Sequence, residues 1–77
     1  MSSLLWRSPT LRLAEAKAEL ATATATHSAA LDAYSRSAVD GAHPAEVASL
    51  AAHAARAARV RSDWRELVER LEREAQP

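Results

Sequence analysis

Histidine has the widest chemical reach in this chain, because an imidazole can ligate a metal, carry a proton or respond to pH near neutrality. There are three, His27, His43 and His53. If the chain folds back on itself, His53 faces Leu31, one turn from His27, and the two rings can approach. Two imidazoles supply only half of a zinc site, and the nearest acids, Asp32 and Glu46, fall off that face or too far along it. A resident metal or other cofactor is therefore not expected, and the two rings read as hydrogen-bonded interior histidines. Asp40 near His43, with Ser35 and Ser37, suggests acid–base work. Those residues form no nucleophile–base–orienter set at workable spacing, and the chain has no glycine-rich phosphate loop. No catalytic residue is assigned, an enzyme is not expected, and no small-molecule substrate is implied.

The basic residues cluster once, at Arg56, Arg59, Arg61 and Arg65. Arg56, Arg59 and Arg65 make a candidate nucleic-acid face, since guanidinium groups bind phosphate. Lysine plus arginine and aspartate plus glutamate both number ten. A phosphate-binding surface normally carries a basic excess, so the interleaved acids favour a solvated, ion-paired face and argue against nucleic acid as a partner.

The elements that carry these residues are organised around Asp40-Gly41-Ala42-His43-Pro44, where the only glycine sits. Long alanine-rich helical patterns run away from it on both sides, so it reads as the turn of a helical hairpin. Ser8-Pro9 opens the first helix, with serine as N-cap and proline at a position that has no backbone N–H to leave orphaned. From there to about Val39, with Asp40 at the limit, no proline or glycine interrupts. Leu13, Leu20, His27 and Tyr34 recur at heptad spacing, with Ala16, Ala23, Ala30 and Ser37 between them. Leu31 and Ala38 broaden that stripe. Thr22, Thr24 and Thr26 alternate like a strand, but the heptads outweigh them. Gly41 suits the left-handed residue just past a helix C-terminus. Pro44 opens the second helix, with His43 as N-cap and Glu46 against the positive helix end.

The second helix runs to about Ala75 with the seam Val47, Leu50, Ala54, Ala57, Arg61, Trp64, Val68 and Leu71, flanked by Ala51, Ala58, Val60 and Leu67. Its outer face carries opposite charges at i,i+4: Arg59 with Asp63, Arg65 with Glu69, Glu66 with Arg70, Glu69 with Arg73, and Arg70 with Glu74. Such pairs contribute about 0.2–0.5 kcal/mol each to an isolated helix. Each arm spans about 48 Å at 1.5 Å per residue. With the reversal near Ala42, facing residues have numbers that add to about 84, as in an antiparallel helix pair. Leu13 then meets Leu71, Leu20 meets Trp64, His27 meets Ala57, Ala30 meets Ala54, Tyr34 meets Leu50 and Ser37 meets Val47. Arg61 falls on the seam opposite Ala23, with its head free to reach outward or to an acid of another subunit.

Composition bounds the function. Seventy-seven residues make at most one small domain, and with no cysteine there is neither a disulfide nor a thiolate metal site. Twenty alanines bury little area, and isoleucine and phenylalanine are absent. A fold of this size draws only about 3–5 kcal/mol from its own core, so a partner is expected. The fold class expected is all-α: an antiparallel two-helix hairpin with an alanine-rich, coiled-coil-like seam, dimerising into a four-helix bundle. The function expected is a non-enzymatic protein–protein interaction or assembly module, a small helical subunit of a larger bacterial or phage complex; a nucleic-acid-binding or regulatory adaptor is the alternative. Residues 1–8 read as an apolar N-terminal arm. Candidate partner contacts are Leu4, Leu5 and Trp6 in that arm, with Leu11, Leu67 and Leu71 at the open end. No run is long and apolar enough for a membrane span, and Met1 to Arg7 lacks the pattern of a signal peptide. The expected location is the cytoplasm, or a virion if the chain is phage-encoded.

Overall fold

The heptad spacing and the single break translate directly into backbone. In the computed structural model, which describes residues 9–76, α1 runs Pro9–Val39 and α2 runs Pro44–Ala75, packed against each other as a two-helix hairpin. There is no strand among the described residues; the threonine alternation at 22–26 is continuous helix. Tertiary packing of the heptad stripe overrides the weak β-preference of three threonines. The N-terminal arm, with Leu4, Leu5, Trp6 and the Ser8 cap, lies outside the described residues.

The turn is built from backbone hydrogen bonds. Ala42 N donates to Ser37 O at 3.1 Å and Gly41 N to Ala38 O at 3.4 Å. Together they form the Schellman pattern, which satisfies carbonyls that a helix end otherwise leaves orphaned. It needs a left-handed residue, and Gly41 has φ 76°. Across the turn, His43 caps α2 with its side chain: the Ala45 backbone N–H donates to Nδ1 at 3.0 Å. Pro44 follows at the first helical position and Glu46 lies in the first turn. Asn, Asp and Ser usually fill the N-cap role. Here the imidazole does so through a nitrogen that accepts only while that nitrogen is unprotonated.

Every seam position of both helices is buried or half-buried. At the open end, Ala16, Val68 and Leu71 are buried, with Leu13, Leu20, Trp64 and Leu67 packed on them. In the middle the core is Ala30, Ala54 and Ala57. These groupings put Ala16 by Val68 and Ala30 by Ala54, the register expected from a reversal near Ala42. The flanks differ from expectation. Leu31, Ala38 and Val60 are exposed and do not broaden the seam. Val39, the last residue of α1, is 86 % exposed. The cause is angular: two helices share one narrow line of contact, so a flank is covered only where it leans toward the partner, as Ala51, Ala58 and Leu67 do by being half-buried.

The outer i,i+4 charges also depart from expectation. None of the five pairs closes to ion-pair contact among the described residues. Lys17 Nζ and Glu72 Oε2 instead meet across the two helices at 3.6 Å, both exposed. An exposed pair gains little Coulomb energy in water and loses side-chain entropy on closing, so open pairs on a solvated face are cheap.

Two substitutions test the turn. Gly41→Ala meets nothing within 4 Å of the new Cβ, so its cost is purely the left-handed backbone, about 1–2 kcal/mol. Chemical denaturation should show that loss, and a neutral result would mean that Gly41 does not hold this conformation. His43→Ala should cost about 0.5–1 kcal/mol while His43→Asp restores or exceeds the wild type, because a carboxylate accepts the same bond and suits the helix end.

Candidate functional site

Because two helices cover each other along one line only, a groove is left on either side of the seam. The first groove, about 330 Å³, is lined by Glu19, Thr22, Ala23 and Thr26 of α1 and by His53, Arg56, Ala57, Val60 and Trp64 of α2. The second, about 300 Å³, is lined by His27, Leu31 and Tyr34 of α1 and by Ala51, Ala54, Ala55 and Ala58 of α2. The two differ in character. One mixes an acid, a base, an imidazole and two hydroxyls; the other is apolar apart from the polar tips of His27 and Tyr34.

This division corrects the expected approach of the two imidazoles. His27 borders the alanine groove and His53 borders the charged one, so they belong to opposite faces of the hairpin. His27 is half-buried and His53 exposed, so His53 is not an interior residue. The heptad explains the split, since His27 sits on the seam itself while His53 flanks it on one side. Among the described residues no three His, Asp or Glu side chains are grouped so as to hold a metal ion. His43, third of the set, is occupied in capping α2.

Arg56 and Arg65 are both exposed, but nine residues along a continuous helix turn them about 180° apart. Arg56 lines the charged groove together with Glu19, and Arg59, exposed one turn along, shares its side of α2 while Arg65 does not. The three arginines therefore do not form one basic face. Arg61 is half-buried on the seam, and its Nε is buried with no hydrogen-bond partner among the described residues. A buried donor without a partner costs about 1–3 kcal/mol. Ala23 opposite leaves room for the side chain, which explains how an arginine occupies a core position at all.

Of the candidate partner contacts that are described, Leu71 is 3 % exposed and Leu67 packs half-buried on the open-end core. Their apolar area is consumed inside the hairpin. Leu11 is 51 % exposed. Sequence reasoning missed Leu31 as a surface residue, 44 % exposed beside the alanine groove. The signal was present, because Leu31 follows the seam position Ala30 and so lies off the contact line.

No helix of the described residues is long and apolar enough to cross a membrane. No family model, no curated protein and no solved structure matches the chain. Chemistry and geometry alone therefore carry its functional reading.

The unpartnered Arg61 Nε yields a stability prediction. Arg61→Leu removes that donor and keeps the aliphatic packing against Ala23, so the melting temperature should rise, by the equivalent of about 1–3 kcal/mol. A fall in the melting temperature would show that the guanidinium is satisfied by a group outside the described hairpin, such as a partner's carboxylate.

Proposed function

We propose that this chain is a non-enzymatic protein–protein interaction or assembly module, a small helical hairpin that is completed by packing against another protein surface. Its concrete form in this reading is a homodimer, two hairpins packed face to face as a four-helix bundle, which then serves as a subunit of a larger assembly.

The supporting observation is surface that the hairpin does not bury. Among the described residues, five of the seven that are buried are alanine, and no side chain is fully buried. The molecule measures 54 × 28 × 13 Å, and its shortest dimension is about one helix diameter. Its accessible surface is 5749 Å², whereas the size scaling of compact monomers gives about 4,600 Å² for 8.3 kDa. The excess reflects a thin, open shape, and large apolar side chains stand exposed on it at Leu11, Leu31, Val39 and Val60, surface of the kind a docking partner covers. A nucleic-acid role gains no comparable support: the signs balance, and the arginines at 56 and 65 turn away from each other.

Light scattering coupled to size exclusion across a concentration series, with circular dichroism at each point, tests the reading. A helical dimer, or a chain that gains helix and mass together as concentration rises, is the expected result. A fully helical monomer with a steep melting transition at micromolar concentration would overturn it, because such a chain has no need of a partner.

A further inference from the structure

The two grooves are not equivalent as docking surfaces, and the difference names the face through which the proposed dimer forms. We infer that a second copy of this chain docks on the alanine groove, with Leu31 of each copy seated among Ala51, Ala55 and Ala58 of the other across a two-fold axis. The inference rests on the assembly reading above and deepens it by assigning the face.

Three observations carry it. The groove and a projection that fits it lie on the same face. A two-fold interface is isologous, so one patch must hold both knob and hole. Leu31, at 44 % exposure, is the large apolar side chain standing at the edge of a hollow floored by alanines. The hollow, about 300 Å³, admits a leucine side chain, and alanine walls let helix axes approach toward about 8 Å, the close end of the packing range.

Charge points the same way. The alanine groove has no Asp, Glu, Lys or Arg in its lining, so covering it strips water from no formal charge. The opposite groove carries Glu19 and Arg56, each exposed. Covering those would desolvate both, and buried pairs recover that cost only with very good geometry.

Area is the third. A standard interface takes about 800 Å² from each partner. The broad face of the molecule measures 54 × 28 Å, enough to supply that area. One face of a rod this long supplies such an area; the tip or the open end alone does not.

The test places one charge on each face. Ala55 and Thr26 are both exposed helical positions, one lining each groove. Glutamate is a good helix former, so neither Ala55→Glu nor Thr26→Glu should unfold the monomer. Circular dichroism at high concentration checks that point. Light scattering then reads mass. The expected result is that Ala55→Glu weakens self-association at least tenfold while Thr26→Glu leaves it unchanged. The reverse pattern would overturn the assigned face and leave the assembly reading standing. A monomeric wild type at every concentration would overturn this inference together with the homodimer. As a second readout, the chain has no native cysteine, so Ala55→Cys paired with Leu31→Cys in separate preparations reports proximity directly. Mixed-disulfide formation between the two preparations supports the geometry. Its absence, with dimer present and Thr26→Cys crosslinking instead, overturns it.

Discussion

The structure depends on one constraint: at the centre of the hairpin, alanine faces alanine. Ala30, Ala54 and Ala57 bring the two helix backbones close, but each contributes only a methyl group to the core. Close approach and shallow burial are the same fact seen twice. Small residues shorten the interaxial distance, and by doing so they leave no depth in which a large side chain can be buried on both sides. The heaviest packing is at the open end, where Val68 and Leu71 close over Ala16, while Val47 and Leu50 near the turn are only half-buried. Stability is thus graded along the rod, with its heavier packing at the far end from the turn.

That thin middle explains where the polar residues sit. His27 and Arg61 occupy seam positions, yet neither is enclosed, because the facing alanines leave the seam open toward the grooves. A deep leucine seam would have to desolvate both. An alanine seam lets the imidazole lie half-buried at a groove edge and lets the guanidinium end reach outward, leaving Nε as the one buried side-chain nitrogen without a partner among the described residues. The same openness creates the two grooves, and their different linings follow from which heptad flank each helix turns to each side.

Much of this was legible in the sequence because periodicity and turn chemistry are local signals. The heptads of Leu13 to Tyr34 and Val47 to Leu71 predicted every seam position, and the lone glycine between them placed the turn and the register. What was not legible depends on how wide a contact two helices can share. Leu31 and Val60 read as extensions of the stripe, although a single partner helix cannot reach them. His53 looked close to His27 in linear register, but the rings lie on opposite sides of the seam, an angular distinction that numbering along an axis hides. The cap at His43 was legible from its place before Pro44, although imidazole is not a favoured cap; only the bond it makes, through Nδ1 to the Ala45 N–H, needed the structure. The partner has no local signal at all, since it would be written in the shape of an outer face.

The seam alone does not specify its own register. Ala16, Ala23 and Ala30 repeat at one heptad, so sliding the helices by seven residues, about 10 Å, still sets Arg61 opposite an alanine and Leu20 opposite Leu71 or Ala57. Nothing in the middle of the hairpin strongly resists such a slip. The turn does. Gly41 and Ala42 close α1 by donating to the Ala38 and Ser37 carbonyls, and the next residue, His43, opens α2 through Ala45. A connection so short has no slack to absorb a shift of 10 Å, a distance of about three extended residues. The unique fold therefore rests on the turn for its register and on the open end for its burial. In a swapped arrangement, where the turn straightens and the helices pair between chains, that register control would be lost and the alanine repeat would admit more than one alignment. A closed hairpin is the form in which this sequence specifies a single structure, and it leaves the outer faces, not the seam, available for a partner.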